Sequence, residues 1–314
     1  MDEILGQVLQ VGFFAAMLRI ATPLLFATIG ELFDERAGVL NLGIEGIMLL
    51  SAMTGFSAAY FTGSLWLGVS AAILTGVACG ALMGLLTVTF GLSQHVSGLG
   101  LTLLASGLAF FFFRVIFGQP ATPPNITAFK RAPIPLLSDI PFIGPVLFNQ
   151  YALVYMALLL VPVTAFILYR TPWGLHLRTV GESPHAADSA GVSVAKVRYQ
   201  ALMLSGALMA VGGAFLSMAQ FNAFTFGVIS GRGWVCIALV VFGQWSPWRS
   251  AVAALLFAFI DALQLRLQAS AVIDVPYQIF LMMPFVLTIL AMALLSRNAR
   301  APASLLVPFR KEER

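Results

Sequence analysis

The chain has 314 residues, of which 60% are hydrophobic and 10% are charged, and its net charge is +4. Soluble globular domains are about half apolar and about a quarter charged, so this composition excludes a water-soluble enzyme and a disordered chain. The chain shows no basic face interleaved with aromatic residues, which argues against a nucleic-acid partner. The surplus of Lys and Arg instead fits the cytoplasmic loops of a membrane protein.

Apolar stretches of about 20 residues recur along the whole chain, and each is long enough to cross a bilayer as a helix. They predict an all-α polytopic membrane bundle of about nine spans, forming one transmembrane domain over residues 1–314. The start, MDEILGQ, is acidic, whereas a cleaved signal peptide would open with a positive stretch, so no signal peptide is expected there. The predicted spans are 8–29, 38–61, 65–89, 95–117, 150–169, 199–220, 232–243, 249–268 and 275–296.

The seventh span is short for a full crossing. Together with the preceding FNAFTFGVISGRG, residues 221–233, it predicts a broken or re-entrant element. Irregular backbone is tolerated at membrane depth where it is buried in protein or lines a wet cavity.

The long loops predict which side of the membrane each part faces. Residues 118–149 are rich in proline and predict an irregular loop outside the cytoplasm. The loop 170–198 and the tail 297–314 are rich in Arg, so both are expected in the cytoplasm. Counting back along the spans places the N-terminus outside.

One polar segment lies within the first half of the chain's apolar pattern. Polar side chains in spans are costly and mark candidate pathways. Asn41 and Glu45 are four residues apart and would share a helix face, within the glycine-containing segment 30–46. This segment predicts either a broken helix that lines a polar pathway or a cytoplasmic connector before a capped helix.

A second polar group lies near the C-terminal spans. Asp261 and Gln264 have helical spacing, which predicts either a lining for a hydrophilic solute or a hydrogen-bond network between helices. Asn222 lies among Phe residues, a mixture that suits a ring-bearing or sugar-bearing solute. Aromatic residues at the membrane interface would explain the same pattern.

Glycines spaced by four residues predict a helix-packing face at Gly76, Gly80 and Gly84. They fall on one side of a helix, where missing side chains let another backbone approach closely. This face is expected to be architectural.

The sequence carries no nucleotide or metal motif. None of its lysines follows a glycine, so the Gly-Lys-Ser/Thr end of a phosphate-binding loop is absent. Its three histidines are scattered without ligand spacing, so no metal and no cofactor are expected in this chain. Any energy from ATP must therefore enter through a partner.

The cytoplasmic loop contains a predicted short helix. Ser183 suits the N-cap, Pro184 the first helical position and Gly191 the stop. Two helical turns are unstable alone in water, so this helix needs a partner or its own domain to hold it.

Four segments carry a resemblance to a known family. GESPHAADSAGVSVAKVRYQALMLSGALMAVGGA, TPLLFATIGELFDERAGVLNLGIEGIMLL, SGRGWVCIALVVFGQWSP and DALQLRLQ resemble the permeases of bacterial ABC importers for branched-chain amino acids, ribose and nucleosides. They look like the shorter of two paired permeases of nucleoside and simple-sugar importers. The resemblance implies a non-enzymatic, multi-pass subunit in the bacterial inner membrane.

The resemblance also implies partners and site residues. The expected partners are a homologous second permease, an ABC ATPase subunit, an extracytoplasmic substrate-binding protein and membrane lipid. The helix that couples to the ATPase would fall on Glu182–Gly191, with Glu182, Ser183, Pro184, Ala187 and Gly191 as its candidate residues. Spans carrying Asn41, Glu45, Asn222, Asp261 and Gln264 would form the translocation pathway.

The expected solute is a nucleoside, with a simple sugar as the alternative. Three rival functions stay open. An ion-coupled secondary transporter could use Glu45 and Asp261 as ion sites. A lipid-modifying enzyme would need ionisable groups clustered at one interface, and the sequence shows none. A purely structural subunit would tolerate substitution of the polar residues in the spans.

Overall fold

A computed structural model describes residues 11–120, 122, 124–270 and 300–309, with seven further positions between 278 and 290. Seven helices in the described part are long and apolar enough to cross a membrane, so the prediction of an all-α membrane bundle is confirmed. Most of the predicted span 275–296 lies outside the described residues, as do residues 297–299 and 310–314 of the tail. The helices are α1 Val11–Arg36, α2 Ile44–Thr62, α3 Leu65–Gly84, α4 Gln94–Phe117, α5 Ala152–Arg170, α6 Pro172–Glu182, α7 Pro184–Ser189, α8 Val194–Phe215, α9 Arg232–Phe242 and α10 Pro247–Ser270.

Helix α8 lies at the centre of the bundle, where it packs against α1, α2 and α3. In its most apolar stretch 78% of the residues are buried, compared with 22% in α4. Most of α4 therefore faces outward, where lipid or another subunit would cover its apolar side chains.

The contact between α3 and α8 depends on glycine. A Cβ added at Gly76 would collide with the carbonyl oxygen of Gly206, and one added at Gly80 would collide with that of Leu202. At Gly84 the same atom would lie 2.7 Å from the ring of Tyr199. Gly76 and Gly80 thus form a backbone-to-backbone contact with α8, and Gly84 leaves room for the Tyr199 ring.

Two helices extend beyond their predicted bounds into polar residues. Helix α1 continues to Arg36 instead of ending at 29. Helix α8 begins at Val194 rather than 199, because the Ser193 hydroxyl accepts a hydrogen bond from the backbone N–H of Lys196. The loop 170–198 contains an unpredicted helix, α6, which begins after the capping residue Thr171.

The two ends of the bundle carry different loops. At one end, the N–H of Ser304 donates to the carbonyl of Gly181 at 2.9 Å, so the described part of the tail packs on α6. At the other end, β1 (Arg131–Pro133) pairs with β2 (Asn149–Tyr151) in the proline-rich loop. Helix α5 runs between these ends, so the loop 170–198 and the proline-rich loop lie on opposite sides of the bundle.

Candidate functional site

The backbone between α8 and α9 is irregular. Helix α8 continues through a π-helical turn, Leu216–Gln220, and the chain then forms a non-helical segment until Arg232. The backbone φ angles of Asn222, Ser230 and Gly231 are positive, at 57°, 51° and 79°. The helical path is therefore interrupted here, as predicted for a broken element, and we call residues 221–231 the broken segment.

Glu45 holds the end of the broken segment. Its Oε1 accepts a hydrogen bond from the N–H of Gly231 and its Oε2 accepts one from the N–H of Gly233, each at 2.8 Å. A Cβ added at Gly233 would lie 2.7 Å from the backbone of Glu45. A carboxylate at a helix N-terminus is favoured by the helix dipole and by charge-assisted hydrogen bonds. Glu45 therefore fixes the start of α9 against α2.

An ion pair joins α9 to α10 beside this point. Arg232 Nη2 lies 3.7 Å from Asp261 Oδ2, and both side chains are partly exposed. They line a cavity of about 340 Å³ between the broken segment and α10. Its walls also include Phe221, Thr225, Phe257 and Gln264.

The structure brings together part of the predicted pathway. Asp261 and Gln264 share the cavity wall, and Glu45 binds the N–H groups of Gly231 and Gly233, which flank the lining residue Arg232. Asn222 lies in the broken segment, where its carbonyl accepts a hydrogen bond from the N–H of Ile126. It therefore ties the broken segment to the proline-rich loop.

The predicted helix face of Asn41 and Glu45 is wrong. Asn41 lies in the turn between α1 and α2 and is fully buried. Its Nδ2 donates to Asp34 Oδ2 at 3.2 Å, and its Oδ1 accepts from the N–H of Gly43 at 3.0 Å. The Asn41 side chain thus binds both the end of α1 and the turn that follows it. Such local side-chain hydrogen bonds favour a non-helical backbone at this position.

The end of α1 carries a buried polar network that was not predicted from the sequence. Trp245 Nε1 donates to Glu35 Oε2 at 2.5 Å. Arg36 donates through Nε and Nη2 to the carbonyl of Trp245, at 2.9 and 2.6 Å. Glu31 Oε1 accepts from the N–H of Asn41 at 3.0 Å. The sequence feature that could have indicated this network is the tryptophan between apolar runs in the segment FGQWSP.

The short helix α7 has one buried and one exposed side. Pro184 and Ala187 are buried, whereas His185, Ala186 and Ser189 are exposed. Ser183 occupies the N-cap and Pro184 the first helical position, as predicted, although the Ser183 side chain makes no capping hydrogen bond.

The predicted coupling residues Gly191 and Glu182 lie on either side of α7. The φ angle of Gly191 after the helix is +84°. Before it, Glu182 Oε2 accepts a hydrogen bond from the N–H of Ala303 at 3.4 Å.

The loop 170–198 is packed onto the bundle by a separate apolar cluster. The cluster joins residues of α6 and α7 to the ends of α1, α8 and α9. The cluster therefore connects α7 to α9, the helix that begins with the cavity residue Arg232. Its members include Leu177, Val180, Ala187, Phe33, Ala37, Val197, Val240 and Trp245.

A membrane helix bundle with an interrupted helix beside a cavity that carries charged side chains is typical of a membrane transport protein. The family described as branched-chain amino acid transport system, permease component, matches residues 13–292, and the chain belongs to this family. It is a multi-pass membrane protein and a transport subunit rather than an enzyme, as its resemblance implied.

Named relatives of the chain fall into two groups. It is 37% identical to the guanosine ABC transporter permease protein NupQ of Bacillus subtilis, over 95% of this chain and 96% of the relative. It is 35% identical to the nucleoside ABC transporter permease protein NupC of Lactococcus lactis, over 92% and 93%. It is 44% identical to the "Putative glucose ABC transporter permease protein TsgC13" of Haloferax volcanii, over 82% and 78%.

A solved structure shares the fold. The inward-facing conformation of a "putative metal-chelate type ABC transporter" aligns with a TM-score of 0.52 over 90% of this chain and 87% of that chain. The sequence identity is 18%, so the likeness concerns the fold alone.

Proposed function

We propose that this chain forms half of the translocation pore of an ATP-driven importer for nucleosides. The observation that carries the proposal is similarity to two permeases named for nucleosides over more than nine-tenths of the chain. The cavity supports it chemically, because aromatic side chains lie beside hydrogen-bonding groups.

A simple sugar is the second candidate solute. The relative named for glucose has the higher identity, but it aligns with a smaller share of this chain. Glucose and nucleosides both carry hydroxyl groups, whereas only nucleosides carry a flat aromatic base. Competition between the two solutes therefore separates the candidates.

The other half of the pore would be a homologous second permease. The chain is also similar to NupP, a second guanosine permease protein of the organism that contains NupQ. Two related permease proteins in one organism, named for one solute, support a heterodimer. An ATPase subunit and an extracytoplasmic binding protein would complete the importer.

The ATPase would dock on the exposed side of α7, within Glu182–Gly191. Ala187 anchors the helix in the apolar cluster and Pro184 is also buried, which leaves the exposed residues His185, Ala186 and Ser189 for the partner. The chain itself carries no nucleotide motif. The energy would therefore come from the ATPase subunit that docks at this loop.

Movement driven by the ATPase at α7 would reach the cavity through parts of the chain that pack against each other. A Cβ added at Gly181 would collide with the carbonyl of Arg36, so α6 rests directly on the end of α1. Arg36 binds Trp245 in the turn between α9 and α10. Those two helices carry Arg232 and Asp261, so tilting them would change the cavity.

Uptake by the complete importer tests this function. We would express the whole operon, reconstitute the complex with its binding protein in proteoliposomes, and measure uptake of labelled guanosine and glucose with ATP inside. ATP-dependent guanosine uptake that excess glucose leaves unchanged is the expected result. Uptake of glucose alone would assign the sugar function. Uptake by this chain alone under an ion gradient would instead identify a secondary transporter.

A further inference from the structure

We infer that Arg232 and Asp261 form a recognition site for the nucleobase inside the cavity. The inference rests on the proposed function and assigns the solute's hydrogen-bonding edge to this ion pair. In this view Phe221 and Phe257 contact the flat face of the base.

The geometry of the pair leaves room for a third group. Its N–O distance of 3.7 Å is longer than a normal hydrogen bond, which spans about 2.7–3.2 Å. The two side chains retain 19% and 15% exposure at the cavity wall. A solute could therefore bond to the guanidinium and the carboxylate together without displacing either.

The cost of the pair also argues for a function. Removing charged groups from water is expensive, and an apolar pair often stabilises a helix contact as well or better. Charges in a membrane bundle commonly mark a solute path. A loose pair that faces a cavity is therefore a weak structural device, whereas it is well placed to bind a polar solute.

The chemistry of the pair matches a base edge. The guanidinium donates hydrogen bonds and the carboxylate accepts them. Guanine carries the O6 acceptor beside N–H donors, so one edge can satisfy both side chains. The cavity of about 340 Å³ lies at the lower end of the range for small-molecule sites, about 300–1,000 Å³.

The surrounding structure holds the donor in position. Glu45 fixes the backbone on both sides of Arg232 through Gly231 and Gly233. Arg232 Nη1 donates to the carbonyl of Ile229 at 3.2 Å, so part of its guanidinium is already oriented. Asp261 approaches from a different helix, and the site consequently forms only while α9 and α10 stay together.

Direct binding tests the inference without the selectivity of the binding protein. The complex of both permeases and the ATPase would be placed in nanodiscs, and saturation-transfer NMR would be recorded with guanosine and with glucose as probes. Guanosine should show transfer to its base proton H8. Asp261→Asn should reduce that transfer about tenfold or more, because a hydrogen bond to a charged group is lost. Asp139→Asn, an exposed carboxylate in the proline-rich loop, should match the wild type.

A charge-swapped variant separates recognition from a structural role. Arg232→Asp combined with Asp261→Arg restores an ion pair but exchanges donor and acceptor. We expect an assembled complex that no longer binds guanosine. Guanosine binding equal to wild type would overturn the inference, because the pair would then act only as a link between helices.

A second readout covers failure of the swapped protein to assemble. Gln264→Leu keeps the ion pair and removes a polar group from the wall. The H8 transfer, measured per assembled complex, should fall in this variant and in Asp261→Asn. Unchanged transfer in both would overturn the inference. If wild-type complex imports guanosine while these variants bind it normally, the recognition site fails and the proposed function stands; if wild type imports only glucose, the proposed function fails.

Discussion

The indole Nε1 of Trp245 donates a hydrogen bond of 2.5 Å to Oε2 of Glu35, 210 residues earlier in the chain. Trp245 lies in the turn between α9 and α10, where its own φ is 54° and that of Gln244 is 51°. The bond therefore joins the end of α1 to the turn between α9 and α10, the two helices that border the cavity. In the proposed mechanism it is one link between the loop at α7 and the cavity.

Trp245→Phe tests that link. Phenylalanine keeps most of the buried ring but removes the N–H, which costs about 1–3 kcal/mol when the acceptor remains buried. We expect the Tm of the detergent-solubilised complex to fall by several degrees and uptake per ATP hydrolysed to fall. Trp248→Phe is the matched control, because Trp248 is 57% exposed. Equal thermal stability in both variants would contradict the role of the bond.

Arginine substitutions at neighbouring positions of α7 test the docking surface. Ala186 is exposed, so Ala186→Arg should preserve the fold and reduce stimulation of the ATPase by the permease. Ala187 is 3% exposed within the chain itself, so Ala187→Arg should lower Tm because a charge enters the apolar cluster. ATPase rates and thermal unfolding would be measured together. Normal stimulation in Ala186→Arg would place the docking surface elsewhere.

Gly80→Leu tests the contact between α3 and α8. The new side chain would meet the carbonyl of Leu202, where even a Cβ does not fit. We expect a large loss of monodisperse complex in size-exclusion chromatography. Gly107→Leu is the control, since nothing lies within 4 Å of a Cβ added at Gly107. Similar yields from the two variants would count against the packing face.

Glu45→Gln tests the hold on the broken segment. A glutamine retains one acceptor oxygen, but its amide group would face an N–H donor at Gly231 or Gly233. We expect assembled complex with uptake reduced about tenfold, in line with the loss of one charge-assisted hydrogen bond. Wild-type uptake rates would show that the charge of Glu45 is dispensable.

Spans could be predicted from the sequence where apolar residues are continuous. The span 65–89 matches α3 with its π-helical turn, Leu65–Thr89. The span 95–117 differs from α4 by one residue at its start. Length and hydropathy suffice in such stretches because the bilayer imposes both.

The end of α1 could not be predicted in the same way. Glu31, Asp34 and Glu35 look like loop residues, yet all three are buried in a helix. Their partners Asn41 and Trp245 lie in two different turns. These donors come together with the carboxylates only in the folded chain. The local composition therefore predicted that the first helix ends at residue 29.

The candidate site was predicted in part. Helical spacing placed Asp261 and Gln264 on one wall, but their neighbour Arg232 had no signal beyond its place at a short apolar run. Glu45 was selected for its charge, whereas its contacts with the N–H groups of Gly231 and Gly233 depend on packing between α2 and α9.

Cross-linking at position 186 tests most directly whether this chain draws its energy through the loop at α7. A cysteine introduced there in the complete importer would be the exposed thiol, because Cys79 and Cys236 are buried. We predict a cross-link to the ATPase subunit, and labelling of the cysteine by an impermeant thiol reagent only from the cytoplasmic side. Labelling from the outside, or no cross-link in an importer that actively hydrolyses ATP, would contradict the account.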